Sequence, residues 1–600
     1  MNKTKLGPVH TFHIPVMGTG FSIDTPLKVA KYGISSVLSL VDDILIEQMR
    51  EYHSKKNDYP FQPISDRVED YRAQRITNYL NMINDLVIEQ SNSIKSSPFE
   101  PGSEITKYFE MLPDSELKNQ YNKMKSEKDL QAKSIQQEEL REMISVGSID
   151  VNIMTKLDRD LYENGEKLPA ECSDASSALR GFANSALSSS IIFSAGMNRR
   201  LYGYLPQFKD FYPDADGNLK KKIILKVSDY RSAIIQGKFL AMKGLWVSEF
   251  RIESGLNCGG HAFASQGFLL GPILDEFRLR KEELIENLFD IYCQNLEKKE
   301  ITPPINPPGT RITVQGGIGT SEEQNLLLEY YQVDGTGWGT PFLLAPDVTN
   351  MDPVHMQKLI EASEDDVFLS NSSPLGVPFW NLRTSISEQI RRDRMKINKP
   401  GSSCPKGFLV SNTEFTKVPI CHASRVFQKR KLKEIENSPK ISDRIYKQQI
   451  DNVTDKSCIC HDLAGSATLP LGIDKDATPS VCCGPNIVNF SKITSLEEMV
   501  NHIYGKISLL SSEHRPHMFI KELSLYIDYL KEEIQKTSDG LLDKTSKYFQ
   551  EFKQNLKNGI DHYYEIAEQF NHTHREKFKK DLDTLLQELE LLTFEVVRAN

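Results

Sequence analysis

The chain has 600 residues, more than one compact hydrophobic core usually needs, so we expect two or three structural units. Hydrophobic residues make up 39% of the sequence and charged residues 26%, a balance typical of a soluble globular protein. The net charge of −9 excludes an electrostatic reason to expect nucleic acid or an anionic membrane surface as a partner.

The compartment follows from what the sequence lacks. No apolar run reaches the roughly 18 residues of a membrane span, and the nearest candidate, residues 185–197, is short and rich in serine. The first eight residues lead into a predicted strand without a secretory hydrophobic region. We therefore expect a cytoplasmic protein without a membrane partner, in which the nine cysteines are reduced and form no disulfide scaffold.

Eight short apolar segments, each followed by polar or helix-like sequence, are predicted to be strands. They are residues 10–17, 34–40, 148–154, 190–194, 222–227, 245–250, 311–315 and 332–338. Strands that alternate with helices indicate an α/β protein, and eight of them predict a (β/α)8 TIM barrel. In that fold the chemistry lies at the carboxyl ends of the strands.

The spacing of the strands divides the chain into five regions. They are the start of the barrel (1–42), a helical insertion (43–145), the remainder of the barrel (146–350), a cysteine-containing elaboration with little regular periodicity (351–495) and a helical region (496–600). The insertion is a lid, an oligomer contact or simple bulk. The C-terminal region is predicted to form amphipathic helices, with breaks at Gly540 and Gly559. These helices pack on the barrel or on a second subunit of a homo-oligomer.

Residues 254–261 follow a predicted buried strand and end in two glycines and a histidine. Gly259 and Gly260 allow the backbone to approach a ligand closely. His261 carries the side chain best suited to move a proton near neutral pH. Cys258, beside them, is expected to be a packed residue and not a nucleophile. His261 is therefore the candidate catalytic residue.

Two turns of small residues end the last two predicted strands. They consist of Gly316, Gly317, Gly319, Gly339 and Thr340. Ser321 is predicted to be the N-cap of the helix after the first turn. A glycine turn at a helix N-terminus presents N–H groups to an anion, and TIM barrels often bind phosphate in the loops after strands seven and eight. We predict a phosphate site there; the alternative is two tight turns without a ligand.

These motifs together resemble the nitronate monooxygenases, formerly called 2-nitropropane dioxygenases. That family consists of FMN-dependent TIM-barrel enzymes related to a flavin-dependent type of enoyl-ACP reductase. The resemblance is carried by residues 14–18, 226–233, 255–261, 315–318 and 339–342, and it extends loosely to about residue 495. Asn257 and Pro341 depart from the family pattern, which frequently has an acidic residue and an arginine at these positions. Both departures bear on the nitronate substrate more than on FMN.

The resemblance implies which residues hold the cofactor. The two glycine turns would bind the FMN phosphate, and the backbone of Met17, Gly18, Gly259 and Gly260 would lie against the flavin.

It also implies the residues at the flavin ring. Lys226 would stabilise the negative charge of the reduced ring, although without the resemblance it is an ordinary surface lysine. Asn152 and Glu253 would hydrogen-bond the flavin edges or orient His261, which would act as base or acid on the substrate.

The sequence thus predicts an FMN-dependent oxidoreductase of the nitronate monooxygenase type that acts on a small molecule. One alternative is an NAD(P)H-dependent flavin reductase of an enoyl-type double bond. The other is a non-catalytic scaffold or metal-binding module.

Four cysteines form a second candidate site. Cys404, Cys421, Cys458 and Cys460 lie in loop-like sequence, and a Cys-x-Cys pair places two sulfurs close enough to share a metal. Four thiolates suit structural zinc or an iron–sulfur cluster, but the spacing matches no standard finger or ferredoxin pattern. The alternative is four reduced cysteines without a ligand.

Overall fold

The computed structural model describes residues 8–154, 158–163, 165–194, 196–438, 442–512 and 514–593. Its centre is a barrel of eight strands: β1 Phe12–Ile14, β2 Ser35–Ser39, β3 Ile149–Ile153, β4 Ser190–Phe193, β5 Lys222–Val227, β6 Val247–Glu253, β7 Arg311–Gln315 and β8 Gly335–Gly337. Neighbouring strands are parallel, and β1 closes the ring between β8 and β2. The predicted (β/α)8 TIM barrel is confirmed, whereas the expectation for the N-terminal segment falls on residues 1–7, outside the described residues.

The strands are short because the chain leaves the barrel wall as soon as its apolar run ends. β5 and β7 have the predicted bounds. β8 is shorter than predicted, since Gln332 adopts a left-handed φ of 53° and the chain joins the ladder only at Gly335. β6 is longer and continues through Glu253, which pairs with Gln315.

Residues alternate between the two faces of each barrel strand. Inside the barrel, Val37, Ile192 and Ile224 form an apolar layer. Below the carboxyl ends lies a polar layer in which Glu249 accepts hydrogen bonds from Arg251 at 2.8 Å and from Thr313 at 2.5 Å. The interior is therefore filled, and a ligand has room only at the rim.

Helices cover the outside of the barrel. Those of the barrel region are Thr25–Val29, Asp174–Ala183, Arg199–Tyr204, Tyr230–Ala241, Leu270–Glu297 and Ser321–Asn325, which continues into the π-helix Leu326–Tyr330. Those of the insertion are Asp43–Lys56, Tyr71–Ser96, Glu104–Glu110, Glu116–Ser126 and Leu130–Met143. Tyr71–Ser96 packs against both Thr25–Val29 and Asp174–Ala183, so part of the insertion takes the place of the second barrel helix.

The elaboration is more regular than its sequence indicates. It holds an antiparallel hairpin, β9 Val367–Ser370 and β10 Phe379–Leu382. Its helices are Pro353–Ile360, Ile386–Lys396, Arg425–Asn437, Asp443–Thr454 and Ile459–Thr468.

The described part of the C-terminal region contains four α-helices, Leu496–Ile503, Met518–Ser538, Ser546–Ile566 and His572–Leu591. Gly540 separates two of them, as predicted. Gly559 does not: it lies inside Ser546–Ile566, where a side chain would collide with Leu269. These helices pack on the barrel, and one continuous apolar core joins all five regions. Among the described residues, no helix has the length and apolar character to cross a membrane.

Candidate functional site

Four polar side chains end the inward-facing rows of their strands. In β6, Phe250 and Ile252 belong to the outer core, so the alternation turns Glu253 to the barrel interior. The same alternation places three further side chains at the inner rim: Asn152 of β3, Lys226 of β5 and Gln315 of β7. The fold therefore gathers residues that lie far apart in the sequence.

A cavity opens above this rim. Its volume is about 250 Å³, just below the roughly 300–1,000 Å³ of a typical ligand pocket. Every residue predicted for the flavin site except Gly319 lines it. They are Met17, Gly18, Asn152, Lys226, Glu253, Gly259, Gly260, His261, Gly316, Gly317, Gly339 and Thr340.

The floor of the cavity is a chain of polar contacts. Lys226 Nζ lies 3.1 Å from Glu253 Oε1, and Gln315 Nε2 donates to the same oxygen at 2.6 Å. Gln315 Oε1 in turn lies 3.4 Å from Nε2 of His13, whose pKa burial holds well below its usual value. Glu253 is thus held by two donors, and the Lys226 ammonium is paired and fixed at the rim.

His261 lies beside the cavity in the loop after β6. Its Nε2 is 2.7 Å from Ser373 Oγ, and its ring meets the Phe379 ring edge-on at 5.1 Å. The backbone of the hairpin also holds this loop, because Trp380 N–H donates to Gly260 O at 2.9 Å. The elaboration therefore holds the histidine on one side, through residues more than a hundred positions away.

Four backbone N–H groups of the two glycine turns belong to residues that line the cavity. The N–H groups of Gly316, Gly317, Gly339 and Thr340 donate to no residue within the described part of the chain. Gly316 and Gly317 have φ values of 118° and 81°, a backbone conformation that favours glycine. Together these donors form a nest suited to a phosphate group.

The structure corrects two details of the turns. Gly319 faces away from the cavity, and its N–H donates to the buried carboxylate of Glu323 at 2.8 Å. Thr320, not Ser321, caps the following helix, since its Oγ1 accepts the N–H of Glu323 at 3.1 Å. The helix begins at Ser321, one residue earlier than predicted, and the Glu323 side chain of its first turn, not a ligand, accepts the Gly319 N–H.

The donor set fits FMN. Asn152 is 4% exposed, lines the cavity and has an Oδ1 without a hydrogen-bond partner among the described residues. A buried amide oxygen of this kind is costly unless a ligand completes it. Lys226 offers a cation and the glycine turns offer an anion nest. A cofactor with a phosphate at one end and a hydrogen-bonding ring at the other matches this distribution of groups.

One wall of the cavity is apolar and comes from the elaboration. The side chains of this wall are Leu375, Val377, Phe379, Phe408, Leu409, Ile459 and Leu463. The loop that carries Phe408 is tied to the barrel, because Lys406 pairs with Asp42 and Arg159 Nη1 donates to Gly407 O at 2.9 Å. The cavity therefore has a polar floor and an apolar wall.

Cys258 was expected to be packed, but it is half-buried and lines the cavity. Its thiol lies 3.5 Å from Gln315 O, and burial raises its pKa far above the usual value. A thiol kept protonated in this way is a poor nucleophile.

The four candidate metal-ligating cysteines lie near one another as two pairs. Cys404 and Cys421 share a hydrogen bond, which lowers the pKa of Cys404 to about 7 and raises that of Cys421. Cys458 and Cys460 share another, and Cys460 lines the cavity. Within the described ranges, however, no three His, Cys, Asp or Glu side chains converge on a point that could hold a metal ion. The zinc or iron–sulfur centre is not confirmed and stays a prediction.

Comparison with known proteins gives a limited result. No protein-family model and no curated protein matches the chain. Among solved structures, the enoyl reductase domain of MlnA from the macrolactin biosynthesis cluster of Bacillus amyloliquefaciens matches 72% of this chain and 87% of its own, at 13% identity and a TM-score of 0.32. A likeness this low carries no argument about activity or cofactor. The nitronate monooxygenase family is therefore not confirmed.

Several contacts of the site were not predicted from the sequence. Ser373 contacts His261 across 112 residues, and Gln315 joins Glu253 across 62. The residues 482–486 cross the glycine turns, where Gly484 N–H donates to Thr340 Oγ1 at 3.1 Å. Of these residues, only Gln315 could have been recognised from the sequence, because it is the last residue of a predicted strand before a glycine turn.

Proposed function

We propose that the chain is an FMN-dependent oxidoreductase in which His261 transfers a proton to or from the substrate. One observation carries the proposal: the anion nest, the Lys226–Glu253 pair and His261 line a single cavity at the carboxyl end of the barrel. Bound FMN would supply hydride or electron transfer, which no amino-acid side chain provides. The protein would supply position, charge and the proton.

The phosphate of the cofactor would lie in the nest of the two turns. Gly316, Gly317, Gly339 and Thr340 each offer an unpaired N–H, and the Thr340 hydroxyl adds a side-chain donor. N–H groups fixed by the turns bind an anion without having to reorganise.

The floor residues would recognise the ring. Lys226 places a positive charge at the rim, where it would stabilise the negative charge of the reduced ring. Glu253 anchors the lysine through its carboxylate, and Asn152 offers its unpaired Oδ1 to a ring N–H.

His261 is suited to proton transfer by its place. It lines the same cavity as the polar floor and the apolar wall, so a substrate bound against that wall would lie within reach of the imidazole. Its Nε2 contact with Ser373 and the edge contact with Phe379 fix the plane of the imidazole. A general acid or base held in one orientation contributes typically 10²- to 10⁴-fold, in order of magnitude.

Two substrate classes stay under consideration. The resemblance in sequence favours oxidation of a small nitronate. The apolar wall of the cavity favours the second class, an enoyl-type double bond carried on an apolar chain and reduced at the expense of NAD(P)H. A non-catalytic scaffold is the remaining alternative.

Anaerobic reduction separates these functions. The FMN-loaded protein would be mixed without oxygen with NADPH and, separately, with an alkyl nitronate, and the flavin absorbance followed. Bleaching by the nitronate alone supports the monooxygenase type, and rapid bleaching by NADPH supports the reductase. Protein that binds FMN but is reduced by neither compound would contradict both enzyme functions and support the scaffold. Zinc and iron analysis of the same sample tests the separate proposal that Cys404, Cys421, Cys458 and Cys460 bind a metal.

A further inference from the structure

The loop that carries His261 is tied at both ends to one carboxyl group outside the barrel. Ser254 Oγ, at the start of the loop, donates to Glu522 Oε1 at 2.6 Å. Leu270 N–H, at its end, donates to Glu522 Oε2 at 3.0 Å. Tyr563 Oη also donates to Oε2, at 3.0 Å. A single side chain of the helix Met518–Ser538 thus spans the whole loop.

The rest of the loop lies on the same C-terminal helices. Asn257 Nδ2 donates to Met518 O at 3.1 Å, and Asn555 Nδ2 donates to Gln266 O at 2.9 Å. Gly267 lies so close to Phe552 that a side chain would not fit. The loop therefore lies on a rigid surface of the C-terminal helices, and both of its ends donate hydrogen bonds to Glu522.

The surroundings of Glu522 show that it acts through hydrogen bonds and not through an ion pair. It is 1% exposed, and no cation among the described residues contributes to its electrostatic environment. Burial raises its pKa to about 7, against the opposing effect of the three donors. A buried carboxyl group without a counter-charge is costly, whereas an apolar side chain could fill the same space. The role of the buried carboxyl group is therefore to accept these three hydrogen bonds.

We infer that Glu522 is the positioning residue for His261. It holds Ser254 and Leu270 at a fixed separation, and the loop between them presents the imidazole to the cavity. The effect on turnover rests on the proposed function of His261, but the tether itself rests on the contacts alone.

The test uses the full-length protein with three variants. Glu522→Ala removes the tether, and Glu522→Gln retains one acceptor oxygen. Glu533→Gln, on the same helix, is the control, because Glu533 is also buried and its carboxyl bonds Tyr529 of its own helix. Hydrogen exchange is measured for peptides that span residues 254–270, together with kcat, KM and the FMN bound per chain.

We expect Glu522→Ala to speed exchange of the Leu270 amide and its loop about 10- to 100-fold, as loss of a buried hydrogen bond predicts. The helix Met518–Ser538 should keep its protection. kcat should fall while KM and bound FMN do not change, and Glu522→Gln should lie between wild type and Glu522→Ala. A change in all parameters together would indicate a merely structural role and overturn the inference.

The two proposals fail separately. Unchanged exchange of the loop in both Glu522 variants would overturn the tether, whatever the cofactor. Faster exchange in a protein without FMN or turnover would retain the tether and refute the proposed function. If Glu522→Ala does not fold, exchange in Glu522→Gln against Glu533→Gln decides the question.

Discussion

Gly317→Ala should weaken FMN binding by a margin that the structure allows us to work out. The residue has a φ of 81°, and a Cβ built there would lie 2.5 Å from Asn257 Cγ and closer still to Nδ2. A left-handed alanine costs roughly 1–2 kcal/mol. Displacing Asn257 breaks its 3.1 Å bond to Met518 O, worth about 1 kcal/mol. The turn can relieve this collision only by moving its N–H groups.

An N–H that leaves the phosphate loses a charge-assisted hydrogen bond of about 1.5–3 kcal/mol. The Kd for FMN should therefore rise roughly 10- to 150-fold. The assay is titration of cofactor-free protein, followed by the change in flavin fluorescence. Gly472→Ala is the matched control, since Gly472 has a φ of 70° and no neighbour near its Cβ. An FMN affinity in Gly317→Ala equal to that of the control would refute the assignment of the turns.

Four further substitutions test other parts of the site and the polar layer inside the barrel. His261→Ala should keep its FMN but lose at least about 100-fold in kcat, and Ser373→Ala should lose less. Equal turnover in His261→Ala and wild type would refute the role of His261 in proton transfer. Lys226→Met should make the reduction potential of the bound flavin more negative, because a cation that favours the reduced ring is lost; dye equilibration measures this, and an unchanged potential would count against the lysine. Burial alone would raise the pKa of Glu249, but Arg251 and Arg311 outweigh it and lower the pKa to about 2. Glu249 therefore stabilises the fold by up to about 3 kcal/mol above pH 4.5, and this stabilisation is lost as the pH falls toward 2. The difference in unfolding free energy between wild type and Glu249→Gln, measured by denaturation, should therefore disappear in acid. A gap that is constant with pH would show that the carboxylate contributes nothing.

The barrel was predictable because each of its strands is a local pattern. A short apolar run between turn residues is visible in the sequence, and closure of eight such runs brings their carboxyl ends together. Asn152, Lys226 and Glu253 lie at or next to the carboxyl ends of three of the barrel strands, so closure of the barrel brings them together.

The elaboration was not predictable as helical, although the signal was present. Its many serines suggested loops, yet Ser385, Ser424 and Ser442 are N-caps whose hydroxyls accept the N–H three residues on. Serine is favoured at helix starts as well as in loops. Serine therefore fits both a loop and a helix start, and only the residues that follow it distinguish the two structures.

The supports of His261 could not be predicted for a different reason. Ser373 lies 112 residues from it in the sequence, and Glu522 lies 268 residues from Ser254. Neither is part of a local pattern. Their roles appear only when the hairpin and the C-terminal helices are packed against the loop.

The most direct test of the account is the cofactor content of the protein as purified. The visible absorption spectrum is recorded, the protein is denatured, and the released flavin is identified and quantified against the chain. We expect the absorption bands of oxidised flavin and about one FMN per cavity, released without covalent attachment. A colourless protein that does not bind added FMN would contradict the central claim.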